Sequence, residues 1–406
     1  MSDQNSPHQA ARQPPHRDGD LHYEGINWVT STFLISTFVV ALITTPLYIW
    51  KLGFGPLELS LFVAMYVVSG LSITAGYHRL FTHVSYRASW PVRLFLLLFG
   101  ASTFESSALL WCSDHRYHHK YSDMDGDPHD PHNIRRGFFW AHMGWMLVYV
   151  SPFLERDNVE DLKRDRLVAW QHKYFVPVAI GMGFVFPMAI GATVTSLQGR
   201  GVLAGLAAGF VWGGCTRIVA VMHSTFLINS AAHTFGRQPY DSETTARDSH
   251  LLALITFGEG YHNYHHVFET DYRLGTLAWH WDPGKWLIWT FGRLGLANNL
   301  RRVPKETIAM AKIREARRRV DRKIEGFHPD RREQIAATLT ALEERLQELH
   351  LQVRTLLSEK SRLARERGSA RLSEIEQQLA QFKSDFRAHV KEWKRQRRLL
   401  LSAAPV

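Results

Sequence analysis

A chain of 406 residues with a net charge of +10 and a mean hydropathy of -0.19 has the averages of a soluble protein with two or three domains. Those averages conceal segregation: uncharged stretches fill much of the first 230 positions, whereas residues 301–406 carry 26 Lys and Arg against 15 Asp and Glu, so the rest is near neutral. Two cysteines, Cys112 and Cys215, give no basis for a disulfide framework, and free thiols are expected.

Residues 1–25, rich in Pro, Gln, His and Asp, lack the basic and apolar regions of a signal peptide and read as a disordered cytosolic tail. Ile26 to Trp50 and Leu59 to Gly76 carry no charge, and each approaches the ~20 residues that cross a hydrocarbon core. Tyr174 to Leu197 and Gly201 to Asn229 form a second such pair, the latter holding Arg217 and His223. Four spans result. Trp90 to Leu110 is apolar but interrupted by Arg93 and Glu105, and an interfacial or re-entrant helix is expected there. The connectors within the two pairs contain only Lys51 and Arg200, so the positive-inside rule puts both termini in the cytoplasm. A bacterial inner membrane is favoured over the endoplasmic reticulum.

Beyond Arg332, Ile335, Leu339, Leu342, Leu346, Leu349, Val353 and Leu356 recur in steps of four and three, Gly368 interrupts, and Leu372, Ile375, Leu379, Phe382 and Phe386 resume. A helical hairpin or a self-associating coiled coil is expected. The basic runs Arg317-Arg318-Arg319 and Lys394 to Arg398 suit a solvated helix face or anionic lipid headgroups. No nucleic-acid partner is expected. The fold class is therefore all-α and integral to a membrane: four spans, a cytosolic helical cap and a helical C-terminal extension, divided at 1–25, 26–303 and 304–406.

Eight of the 22 histidines fall in three clusters: His78 with His83; His115, His118 and His119; His262, His265 and His266. At about 100° per residue, His115 and His119 share a helix face while His118 is offset from His119 by about 100°, and the third cluster repeats this. Each triplet can give two rings to one ion and one ring to a second. His78 and His83 diverge by about 140° on a continuous α-helix, so they should serve different metals unless the helix ends between them. Asn229 and His233 add a pair four apart, His233 as a ninth nitrogen and Asn229 acting through water. His129, His132, His142, His172 and His280 read as ordinary polar residues or as supports behind the ligands, and His223, within a span, as a functional candidate. Imidazole suits several metals, but a two-metal, nitrogen-rich site beside apolar helices fits oxygen chemistry better than zinc.

These clusters resemble the histidine boxes of the membrane fatty acid desaturase and hydroxylase superfamily. Asn229-Ser-Ala-Ala-His233, Gly258-Glu-Gly-Tyr-His262-Asn-Tyr-His265-His266, Gly76-Tyr-His78-Arg-Leu, Asp127-Pro-His129 and Arg135-Arg-Gly-Phe-Phe are similar to the stearoyl-CoA Δ9 branch, over about Asn27 to Val303. The resemblance implies a di-iron site held by the nine histidines, with Asn229 contacting iron through water. It also implies O2 as co-substrate, and a C16–C18 acyl chain, CoA-linked or lipid-bound, bent in a narrow tunnel. Thr225 and Phe226 match the kink of that tunnel, with Phe replacing the family's Trp; Tyr66 and Gly70 match its closed end, the small Gly70 leaving room for the chain. Asp114, Arg135 and Arg136 match head-group positions, but Ser113 and Tyr149-Val150 stand where animal relatives carry basic residues that bind CoA. Electrons would come from a ferredoxin or cytochrome b5-type donor with its reductase, since no His-Pro-Gly-Gly haem signature marks a fused b5 domain. The nearest alternative is hydroxylation at the same site; a metal transporter or sensor is the alternative from another class.

Overall fold

The computed structural model describes residues 22–123, 130–151, 156–366 and 369–402, which fall into two compact units. The first, residues 1–237 with 244–301, contains four helices long and apolar enough to cross a membrane: Trp28–Leu52, Pro56–Thr82, Phe175–Leu197 and Val202–His233. The protein is an all-α integral membrane protein. Each span begins within three residues of its predicted start, because length and lack of charge are the strongest signals a sequence carries.

Local chemistry fixes the first hairpin. Asn27 Oδ1 accepts the Thr30 amide at 3.2 Å to open the first span, and Gly53, at φ 82°, closes it. The Glu58 carboxylate then accepts from the Gly55 amide at 3.0 Å and the Tyr48 hydroxyl at 2.7 Å, tying the turn to both helices. In the second hairpin Gly191 and Gly205 face each other so closely that a Cβ on either would collide with the other's carbonyl, the small-residue contact that lets helices pack in lipid.

The four spans are not equivalent. Only 22% of the apolar stretch of the first and third is buried, against 50% and 56% in the second and fourth; the buried pair carries His78 and His233, while the other pair presents apolar side chains such as Ile35, Leu42, Val176 and Val185. Arg217, fully buried in the fourth span, donates to the carbonyls of Gly213, Ser102 and Gly183 at 3.0, 2.7 and 3.1 Å. It is a staple between the third and fourth spans and the cap, its donors met by backbone oxygens.

The segment expected to lie at the interface forms a 12-residue helix, Trp90–Ala101, shorter than a crossing requires. It ends before Leu110, the predicted limit, because the backbone turns left-handed at Phe104 and Ser106. Ser107 then caps a new helix, Ala108–Tyr121, that carries the second histidine cluster. Residues 22–25, read as the end of a disordered tail, and Ile26, read as the start of the first span, pair antiparallel with Val148–Ser151. A partner more than a hundred residues away leaves no mark on local sequence pattern.

The second unit, residues 238–243 with 302–406, is built from Lys305–Ile324, Pro329–Glu366 and Ser369–Ser402. Heptad positions Ile335, Leu339, Leu346, Leu349 and Val353 are buried with Ile375, Leu379, Phe386 and Trp393. The seam is consumed by a hairpin within the chain.

Candidate metal centre

The second span does not stay α-helical. From Ser72 to Thr82 it is a π-helix, and the His83 amide donates to the His78 carbonyl at 3.1 Å. Hydrogen bonds of the i→i+5 type carry residues five apart onto one face. The 140° divergence argued above assumed α-geometry; in the π turn His78 and His83 join the same group of rings.

Nine histidines converge in two groups whose nitrogens lie within 4.8 Å of one another: His78, His83, His115, His119 and His265 in one, His118, His233, His262 and His266 in the other. The spacing argument holds at both triplets. His115 and His119 enter the first group and His118 the second, while His262 and His266 enter the second and His265 the first.

The nitrogens meet more closely than hydrogen bonding can explain. His265 Nε2 lies 2.9 Å from His78 Nε2 and 2.8 Å from His119 Nε2. Glu259 sits 2.9 Å from His78 Nδ1, and Glu269 3.4 Å from His119 Nδ1. A carboxylate beside Nδ1 favours the tautomer protonated there, which leaves the lone pair on Nε2. One Nε2–H on His265 can serve only one of its two neighbours, so the other contact opposes two lone pairs unless a cation lies between them. His262 Nε2 repeats the pattern, 2.9 Å from His233 Nε2 and 3.1 Å from His266 Nε2. Nε2 of His83, His115 and His118 are buried without a hydrogen-bond partner among the described residues. Burial, then the neighbouring rings, push His83, His115, His119, His262, His265 and His266 well below the ordinary imidazole range. Neutral rings with converging lone pairs form a donor set that fits two cations.

Residues 55–283 match the fatty acid desaturase family, more than half of the chain. The chain is 38% identical over 302 residues to the "Probable acyl-CoA desaturase" of Schizosaccharomyces pombe, covering 73% of this chain and 59% of that one. It is 39% identical over 276 residues to "Acyl-CoA desaturase 1" of Saccharomyces cerevisiae (67% and 52%), and 38% identical over 259 residues to "Stearoyl-CoA desaturase 2" of Rattus norvegicus (61% and 68%). The chain belongs to the fatty acid desaturase family. The aligned part spans little more than half the length of the two yeast relatives.

Within this family member, sequence reading missed the carboxylates around the rings. Asp130 accepts from His118 Nδ1 at 2.9 Å and lies 3.8 Å from His132 Nδ1; all three side chains are buried. The signal was a duplication, Asp127-Pro-His129 followed by Asp130-Pro-His132. The second copy reaches the site, while residues 127–129 lie outside the described residues. Thr245 Oγ1 lies 2.8 Å from His233 Nδ1. His172, His280, His142 and His223 stay outside both groups: His172 meets Ser107 at 2.7 Å, His280 stacks on Tyr261, and His142 bridges His223 and Ser230, each at 3.0 Å.

The other predicted residues do not gather in one place. Tyr66 donates to the Ile255 carbonyl and meets Ser224, both at 2.7 Å. Gly70 does not leave open room: a Cβ there would strike the Phe257 ring, which fills the notch beside Tyr66. Asp114 pairs with Arg156, Arg135 is exposed on the turn Ile134–Arg136, and Arg136 lies over Trp140. Ser113, at the place of a CoA-binding base, is buried against Asn158 at 2.6 Å. Asn229 is half-buried, and its side chain hydrogen-bonds to no described residue; the helix ends at Ser230 and tightens to a 3-10 turn at Ala231–His233. Phe226 packs with Leu34, Ile218 and Met222, whereas Thr225 donates to Glu105 Oε1 at 2.9 Å.

Glu105, one of the two charges that interrupt the apolar stretch after Trp90, is enclosed by the fold. Burial raises its carboxyl from 4.5 to about 8, against the opposing bonds from Thr225 and Trp111. The folded value lies above the unfolded one, so stability falls as pH rises through this interval. Glu105→Gln is expected to remove a penalty of roughly 3 kcal/mol at neutral pH and raise the melting midpoint. The gain should fade towards pH 4.5. Melting curves of both proteins at pH 4.5 and 7 check this, and an equal offset at the two pH values would contradict it.

Proposed function

We propose that this protein is an oxygen-dependent fatty acyl desaturase that introduces a cis Δ9 double bond into a C16–C18 acyl chain at a pair of irons. The single observation that carries the reading is the convergence of the nine imidazoles into groups of five and four beside apolar spans. When bound, the irons would supply the activation of dioxygen. In balance, the chain gives up two hydrogens, an external ferredoxin or b5-type donor supplies two electrons, two protons come from solvent, and O2 leaves as two waters.

In this reading His78, His83, His115, His119 and His265 hold one iron and His118, His233, His262 and His266 the other, with the unengaged Asn229 amide placing a water. Asp130 accepts from His118 Nδ1, and Glu259 and Glu269 beside the Nδ1 atoms of His78 and His119 favour protons there, so the Nε2 lone pairs face inwards. Thr225, Tyr66, Phe226 and the Gly70–Phe257 contact position the acyl chain, and Asp114, Arg135 and Arg136 meet its head group. The contribution of these residues is to present one pair of methylenes and to exclude water. Both termini face the cytoplasm, from the placement of basic loops. The relatives named above are yeast and mammalian and lend no support to a bacterial inner membrane.

Expression in a host unable to make unsaturated fatty acids tests the function. A new double bond, located by mass spectrometry together with the lipid that carries it, is expected. A gain of oxygen would replace desaturation by hydroxylation, and saturated products alone would refute both. The chemistry is assigned to residues 26–303, after a tail of 1–25, so removal of 304–406 should leave iron content and turnover unchanged. Iron analysis of the truncated protein checks that division.

A further inference from the structure

The second unit contains a feature that desaturation does not use. The two basic runs of the sequence, about eighty residues apart, meet in one groove. Arg319 and Lys323, towards the end of Lys305–Ile324, and Arg397 and Arg398, towards the end of Ser369–Ser402, line an open cavity of about 350 Å³ floored by Val320 and Leu401. No carboxylate side chain of a described residue lines it. Arg319 is held by Glu315 at 2.7 Å and Arg397 lies over Trp393, but Lys323 and Arg398 make no ion pair or hydrogen bond among the described residues.

We infer that this groove binds the phosphate of an anionic phospholipid headgroup. A helix C-terminus favours one cation in its last turn; it does not account for Lys323, Arg397 and Arg398, none with a carboxylate partner among the described residues, lining one space beside the Glu315-paired Arg319, where they repel one another. Guanidinium forks match phosphate oxygens, and Lys adds a mobile point charge. The apolar floor takes the glycerol and first methylenes, which free phosphate lacks. Nucleic acid fits less well, because the groove is short and the ring of Trp393 is already covered by Arg397.

The test uses the full-length protein in detergent, titrated with dioctanoyl phosphatidate, dioctanoyl phosphatidylcholine and inorganic phosphate, with bound ligand counted by native mass spectrometry. One saturable phosphatidate is expected. Lys323→Glu with Arg398→Glu should weaken it at least ~10-fold, and the same charge change at exposed Arg362 and Lys391 should not. Circular dichroism melting confirms that both double variants are folded. Equal losses in the two double variants, or equal binding of phosphatidylcholine, would overturn the site. Inorganic phosphate binding as tightly as phosphatidate would overturn the lipid assignment.

Discussion

Replacing His265 by alanine is expected to abolish turnover and to lower the iron content of the purified protein from two per chain to one. His265 is the hub of the five-ring group. Its Nε2 lies within 2.9 Å of two other Nε2 atoms, and its ring centroid is 4.3 Å from that of His78, 4.6 Å from His119 and 4.7 Å from His83. Its neighbours His78 and His119 have carboxylates, Glu259 and Glu269, beside their Nδ1 atoms. The four-ring group shares no member with the five, so it should keep its iron. His266→Ala is the mirror experiment and should lose the other ion. Insertion is set by the four apolar spans and should be normal in both. Two irons per chain and full turnover in either variant would show that these rings are not ligands.

The contrast between the two halves of this cage shows what sequence periodicity can and cannot convey. His115, His118 and His119 lie on a regular α-helix, as the spacing rule assumes, and the rule divides them between the groups as the structure does. At His78 and His83 the rule fails because its premise fails: the backbone there follows i→i+5 hydrogen bonding, a choice made by packing that no local pattern announces. The carboxylates were hidden for another reason. Glu259 is 181 residues from His78 in sequence, and Glu269 is 150 from His119. Their pairing is a product of the fold. Gly70 shows the same limit, since the room left by a small residue depends on what stands opposite, and Phe257 stands there. Apolar span lengths and the heptad seam were legible because a single helix reports them. The strand at residues 22–26 and the enclosure of Glu105 depend on distant chain and were not.

Glu259→Gln is expected to weaken iron binding in the five-ring group by roughly 10- to 100-fold, the range typical of a lost partner behind a metal-bound imidazole. Glu259 is buried between two demands. One oxygen faces His78 Nδ1 at 2.9 Å, and the other accepts from Thr74 and lies 3.5 Å from the Arg79 guanidinium. Burial opposes its ionisation, yet His78 and Arg79 hold its carboxyl below the usual carboxylate range, so it stays charged. Glutamine keeps the shape but not the charge, and the His78 ring loses the anion that fixes its Nδ1 proton. Arg79 retains Asp282 at 2.9 Å, so the substitution should not strand a buried cation. Asp282→Asn separates the two roles. Asp282 also accepts from the backbone amides of Leu274, Gly275 and Lys285, and its loss should lower stability by about 3 kcal/mol while iron affinity changes little. Chelator competition and thermal melting on the two variants distinguish these outcomes. Unaltered iron affinity in Glu259→Gln would mean that His78 is oriented by its backbone alone.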